Sequence, residues 1–312
     1  MTESTELHSH SLVILLLTGD VMTGRGVDQI LPHPGDPTLH EKYAKSALEY
    51  VALAERANGP IPRPASDAYI WGDAVAEIER RRPVLSLVNL ETAITARGTP
   101  APKGINYSMH PANTGVLAAA GIRACTLANN HVLDWGTDGL EDTLEALRAA
   151  GIAVAGAGRK LQDASAPLVI PMAERGRLII LAFGCRDSGI PADWRALPKR
   201  AGVNLLPDLS PATARAIAGT IGHLKQPDDI VIASSCMDLK ALLMPIACLV
   251  GEIARSLLRS AEISPRRKGT GLQSAMSMLN FYINRAGKKL PDERKRVLEQ
   301  AKAHLRRQNQ DN

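Results

Sequence analysis

Aromatic side chains are scarce in this 312-residue chain, where Phe, Tyr and Trp together make up 3%. Hydrophobic residues nonetheless reach 45%. The chain can therefore bury a sizeable core, and that core must be aliphatic. Cysteine is scarce as well. Cys125, Cys185, Cys236 and Cys248 are scattered without a CxxC pair, which argues against a thiolate metal site or a disulfide framework. Reduced, mostly buried thiols predict a cytoplasmic protein. Long apolar runs are also missing. Residues 1–11 lack a basic leader, the run at 12–17 is short for a signal core, and Pro245 interrupts the run at 241–251. The sequence thus predicts no transmembrane segment, with at most a buried or interfacial helix over 239–258. It holds no internal repeat and no low-complexity stretch.

Charge is present but unevenly placed. Residues 253–312 carry 14 Lys and Arg against 5 Asp and Glu, whereas residues 1–252 carry 23 against 27. The basic pI of about 9.1 therefore comes from the tail, and the asymmetry predicts two units with different partners.

Along the first part, short apolar runs alternate with helical patterns. Strands are expected over 12–17, 83–88, 122–127, 152–155, 178–182 and 230–233. Helices are expected over 40–58, 71–82, 112–120, 139–150 and 211–224. Such alternation predicts an α/β domain with a largely parallel or mixed sheet. Beyond Ser235 the chain is apolar to 252 and then basic and helical. Leu272, Ala275, Met276, Leu279, Tyr282, Ile283 and Ala286 make one helical stripe, and Val297, Leu298, Ala301 and Leu305 make another. Gly287 and Pro291 punctuate the turn between them.

Three expected strands end in polar clusters: Thr18-Gly19-Asp20, Asn89-Leu90-Glu91 and Asn129-Asn130-His131. Each alone is an ordinary cap or turn. Together they matter, because ligands of open α/β sheets bind beyond the carboxyl ends of strands, where such ends converge. Carboxylates and an amide oxygen are donors for hard or borderline cations. A histidine beside them suits proton transfer to a leaving oxygen.

The motifs LLLTGDVMTGRGVD (15–28), YIWGD (69–73), NLET (89–92), KGINYSMHP (103–111) and LANNHVLDWG (127–136) resemble the CapA family. That family is associated with capsule and poly-γ-glutamate synthesis and is similar in fold to the calcineurin-like metallophosphatases. The resemblance covers 12–235. It implies a metallophosphatase-like layered sheet with flanking helices, incomplete at its C-terminal end, and an anionic small-molecule or polymer substrate. It implies Asp20, Glu91 and Asn130 as metal ligands and His131 as the catalytic histidine. Arg25, Lys103 and Asn106 would border the substrate, while Trp71, Asp73, Asp134 and Trp135 would serve architecture. The family's later strands bring a His-Trp pair and a Gly-His segment. Here the strand at 229–233 runs into Ser234-Ser235-Cys236, His223 lies on the helix before it, and the only later histidine is His304. A divalent cation (Mn, Fe, Zn or Mg) would therefore be held weakly, through a degenerate site. A sheet cut short there should also leave an apolar edge and a body prone to aggregation.

The tail at 253–308, with IARSLLRSAE (253–262), RRK (266–268) and the run at 274–302, resembles a small bacterial domain of unknown function. A small all-α basic module is expected there, joined through the apolar junction at 236–252. Two readings of it stand open: a solvated helical pair packed on itself, and a module binding nucleic acid or another acidic partner. The whole is either a metallophosphatase-like hydrolase or a non-enzymatic binding protein working through its tail, and joins its two parts by gene fusion or by a shifted reading frame.

Overall fold

The computed structural model describes residues 13–172 and 176–236, and in the remainder Thr270, Gln273, Leu298, Glu299, Lys302 and Arg306. The chain divides into two units, Met1–Met237 and Asp238–Asn312. The expected junction beyond Cys236, the basic helices as continuous elements, and His304 lie outside the described residues.

In chain order the strands are β1 (Leu15–Val21), β2 (Leu85–Leu90), β3 (Ala93–Ile94), β4 (Ser108–Met109), β5 (Ala124–Thr126), β6 (Ala153–Ala155), β7 (Ala157–Gly158), β8 (Leu168–Pro171), β9 (Arg177–Gly184), β10 (Gly202–Val203) and β11 (Ile230–Cys236). The α-helices are α1 (Leu48–Asn58), α2 (Ala74–Arg81), α3 (Gly115–Ala119), α4 (Gly136–Ala149), α5 (Leu161–Ser165) and α6 (Pro211–Leu224). One sheet has the order β1-β2-β5-β6 and is parallel throughout. A second has the order β11-β9-β8, with β11 parallel and β8 antiparallel to β9, and two-stranded sheets pair β10 with β7 and β3 with β4.

The two larger sheets face one another across an aliphatic layer. Leu85 and Leu87 of β2, Ala124 of β5 and Ala155 of β6 pack against Leu178, Ile180 and Ala182 of β9, with Ile230 and Ile232 of β11 beside them. Side chains alternate along a strand, so Val88, Leu90 and Cys125 point the other way. There they meet Val116 and Leu117 of α3 and Leu140 and Leu147 of α4. Burial on both faces explains why β2 carries apolar residues on each, Leu85 and Leu87 on one and Val88 and Leu90 on the other. The same alternation puts Ser234 on the inward face of β11, and its hydroxyl lies 3.4 Å from that of Thr126 on β5.

Two expectations shift. β1 does not end at 17: its pairing with β2 breaks between Leu17 and Asp20 and resumes with Asp20 opposite Asn89. This irregularity keeps Asp20 within the sheet yet exposed. The helix expected over 40–58 starts only at Leu48, because the preceding segment folds into a loop closed by Thr38 opposite Ser46 and by Leu39 N–H to the Lys45 carbonyl (2.8 Å). At the start of β11, Asp229 accepts from the Arg177 guanidinium (2.5 Å) and from the backbone N–H groups of Arg177 (2.7 Å) and Gln226 (2.8 Å). Cys125 and Cys185 are buried thiols outside any disulfide, and burial pushes the Cys125 thiol up to about 12. Among the described residues no helix is long and apolar enough to cross a membrane.

Candidate active site

The polar clusters that end β1, β2 and β5 meet, and the residue that joins them is Asn89. Its side-chain N–H group donates to Asp20 Oδ1 (2.9 Å) and to Glu91 Oε1 (2.7 Å). Its Oδ1 accepts from Asn129 Nδ2 (3.1 Å) and Thr126 Oγ1 (3.3 Å). The orientation of this amide follows from its neighbour. Asn129 Oδ1 accepts the backbone N–H groups of His131 and Val132, each at 3.0 Å. Its Nδ2 must then face Leu90 O (2.8 Å) and Asn89 Oδ1. With its oxygen so placed, Asn89 turns its donors toward the two carboxylates.

Glu91 is 5% exposed. Burial pushes its carboxyl above the ordinary glutamate range; His131 opposes this, Asp20 adds to it, and the Asn89 hydrogen bond and Lys103 oppose it again. Two carboxylates thus share one amide in a partly buried place.

His131 is fixed from behind. Its Nδ1 lies 2.7 Å from Asp134 Oδ2, and its Nε2 lies 3.8 Å from Glu91 Oε2. A carboxylate carries no proton to share, so Nδ1 bears the hydrogen and Nε2 is the face left for chemistry. Asp134 is fully buried. It also accepts the Tyr107 backbone N–H (2.7 Å) and pairs with Lys103 Nζ (2.5 Å). The Tyr107 ring packs on the His131 ring at 4.3 Å between centroids. Lys103 additionally donates to the Asn130 carbonyl.

The expected site residues therefore separate into groups. Asp20, Glu91, His131 and Lys103 come together. Asn130 reaches the cluster through its backbone carbonyl, which accepts from Lys103, and its side chain lies beside Gly189. Asn106 is buried. Its Nδ2 donates to the Ala101 carbonyl (3.1 Å), and its Oδ1 has no hydrogen-bond partner among the described residues. Arg25 is committed elsewhere: it pairs with the buried Glu41 at 2.5 Å and stacks over the Tyr50 ring at 4.1 Å. Trp71 and Trp135 tie loops together through indole bonds to Val116 O (2.7 Å) and Tyr107 O (3.2 Å). His223 sits exposed on α6. Sequence reasoning gives Asp134 to architecture, names Asn89 and Asn129 in the clusters without a role, and passes over Tyr107. The doubled Asn before His131 and an Asp three residues after it were the available signals.

Asp20 and Glu91 bring excess negative charge together and fit one hard divalent ion whose other positions go to water or substrate. Among the described residues no three Asp, Glu, His or Cys side chains converge at ligand spacing.

Comparison with known proteins matches the sequence to a family. Residues 14–237 match the model described as bacterial capsule synthesis protein PGA_cap, and residues 227–310 match a protein of unknown function, DUF3175. The two matches overlap on β11, and the second takes in the segment expected to be a junction. The tail is thus a family sequence in its own right. A probable polyglutamine synthesis accessory protein of Mycobacterium tuberculosis is 45% identical over 225 residues, which is 72% of this chain and 59% of that protein. The PGA biosynthesis protein CapA of Bacillus subtilis is 25% identical over 236 residues, 75% of this chain and 51% of that protein. The aligned part of the chain thus spans between half and three-fifths of these relatives. With a family match over most of its length, the chain belongs to the bacterial capsule synthesis protein PGA_cap family.

Proposed function

We propose that this protein is an accessory protein of polyglutamate-type polymer synthesis, with a reduced metallophosphatase-like site that engages a phosphate ester or acyl phosphate. The observation that carries this reading is the His131 ring, held by Asp134 with Nε2 3.8 Å from the Glu91 carboxylate. Asp20 and Glu91 would hold one divalent cation weakly. When bound, such a cation neutralises phosphate charge and lowers the pKa of a bound water.

The chain's own residues do the rest. Asp134 fixes the tautomer of His131, whose bare Nε2 takes a proton from an attacking group and, once protonated, gives it to a departing oxygen. Lys103 lies 3.3 Å from His131 Nδ1 and supplies positive charge beside it. Asn89 keeps the two carboxylates apart from one another and oriented. The similarity to the Bacillus subtilis and Mycobacterium tuberculosis proteins supports the polymer assignment, and the single-cation donor set supports reduced turnover.

The test is hydrolysis of p-nitrophenyl phosphate with Mn²⁺ present. Slow turnover that disappears in Asp20→Ala and His131→Ala is expected. Turnover at rates ordinary for a phosphatase would overturn the reduced character of the site. Turnover untouched by either substitution would overturn the site itself.

A further inference from the structure

Next to His131, on the far side of Tyr107, lies a cavity of about 320 Å³ that the proposed chemistry leaves unused. Six of its eleven lining residues are aliphatic: Met22, Val27, Ile30, Val51, Ala54 and Ile61. Tyr50, Tyr107 and Arg25 complete the wall with two glycines. The volume is at the lower end for a small-molecule pocket, where apolar walls and a few polar groups are the rule.

The one charged group in the wall is already balanced. Arg25 pairs with Glu41 at 2.5 Å, and Glu41 also accepts from the Tyr50 hydroxyl at 2.8 Å. The guanidinium carbon stands 4.1 Å from the Tyr50 ring centre and 5.4 Å from that of Tyr107. A neutralised, ring-stacked guanidinium offers a free anion little, and the aliphatic wall offers it nothing. Such a cavity selects an uncharged apolar group.

The backbone is held in an unfavourable conformation to build this wall. Arg25 has φ +56°, the left-handed region that a long side chain rarely adopts. The glycines on either side permit it. A Cβ on Gly24 would lie 2.6 Å from Ser108 O, and one on Gly26 would lie 3.0 Å from Tyr50 Cβ. Tyr107 joins cavity and site, since it lines the first and packs on His131 at 4.3 Å in the second.

We infer that the cavity receives the apolar part, an alkyl chain or an aromatic ring, of the molecule whose anionic group sits at His131. The substrate is thus an amphiphile, a phosphorylated or acyl-phosphorylated apolar compound, and not a free glutamate chain alone. The anionic half of this inference rests on the function proposed above, and the apolar half rests on the cavity.

Calorimetric titration of the full chain, in MnCl₂, with methyl phosphate and hexyl phosphate tests it. Each buried methylene strengthens binding about three- to fourfold, so hexyl phosphate is expected to bind at least about tenfold more tightly. Ala54→Trp, which fills the cavity from α1, should level the two while sparing methyl phosphate. Ile61→Phe fills it from another side and serves the same purpose if the first variant unfolds. Equal affinities in the unmodified chain, or a hexyl advantage that survives both substitutions, would overturn the inference. Hexan-1-ol separates the two halves. If neither phosphate binds while hexanol binds and is lost in Ala54→Trp, the cavity stands and the proposed anion site falls. Hexanol without saturable binding overturns the cavity.

Discussion

Asn89→Asp is the perturbation that the geometry of the strand ends constrains most. It keeps the size of the side chain and its acceptor for Thr126 and Asn129, but it replaces the donor by an oxygen 2.9 Å from Asp20 Oδ1 and 2.7 Å from Glu91 Oε1. Two hydrogen bonds to carboxylates disappear, each worth about 1.5–3 kcal/mol. Asp20 is exposed, so the lower figure applies to it, and a loss of about 3 kcal/mol is expected. At about 2–4 °C per kcal/mol for a unit of this size, the melting temperature should fall by about 6–12 °C at neutral pH. The substitution also turns two carboxylates into three, which is a better cation site. Mn²⁺ at a hundredfold excess over its dissociation constant would return about 2.7 kcal/mol. Thermal melts of both proteins with and without MnCl₂ read this out. The variant should lose stability without the ion and recover most of it with the ion, more than the unmodified chain gains. A variant that melts with the unmodified chain in the absence of Mn²⁺ would refute the role assigned to the Asn89 amide.

Other consequences follow from the same map. Glu91 titrates above its unfolded value, chiefly through burial, so the native state binds the extra proton and stability falls as pH rises through that interval. Glu91→Gln should therefore raise the melting temperature at pH 7, and the gain should vanish below about pH 4, where both states are protonated. Asp229 behaves in the opposite sense, because the Arg177 side chain and the Gln226 backbone hold its carboxyl well below the usual range. Its contribution is present above the ordinary aspartate pKa and lost as pH falls, so Asp229→Asn should lower the melting temperature at neutral pH and narrow its gap to the unmodified chain in acid. Leu17 is 54% exposed on β1, an edge strand among the described residues. Leu17→Lys should reduce aggregation on concentration, measured by light scattering, since a charge on an edge strand discourages pairing with another chain.

Much of this was legible in the sequence, for definite reasons. Strand ends that deliver Asp20, Glu91 and His131 carry a double signal, an apolar run and a polar stop, and parallel pairing then forces them together. The layering of two sheets was less visible, because β5 and β6 are only three residues each and their partners across the core are far off in sequence. Arg25 shows the limit from the other side. Its motif places it near the substrate, and its charge is paired with Glu41, sixteen positions on in a stretch that reads as helix and folds as a loop. The resemblance implies Asn130 as a metal ligand. The structure uses Asn129 to set the turn and leaves the Asn130 side chain directed toward Gly189. A hydrogen-bond network of amides has no sequence period, which is why the strand-end clusters do not reveal the bridging role of Asn89 and Asn129.

The central claim is that Asp20 and Glu91 make a single weak cation site backed by His131. Calorimetric titration of the chain with MnCl₂, beside Asp20→Asn, tests it most directly. One equivalent should bind with a dissociation constant of about 0.1–1 mM, the range of sparsely liganded oxygen sites, and the substitution should abolish it. Two equivalents bound tightly, or no binding that depends on Asp20, would contradict the account.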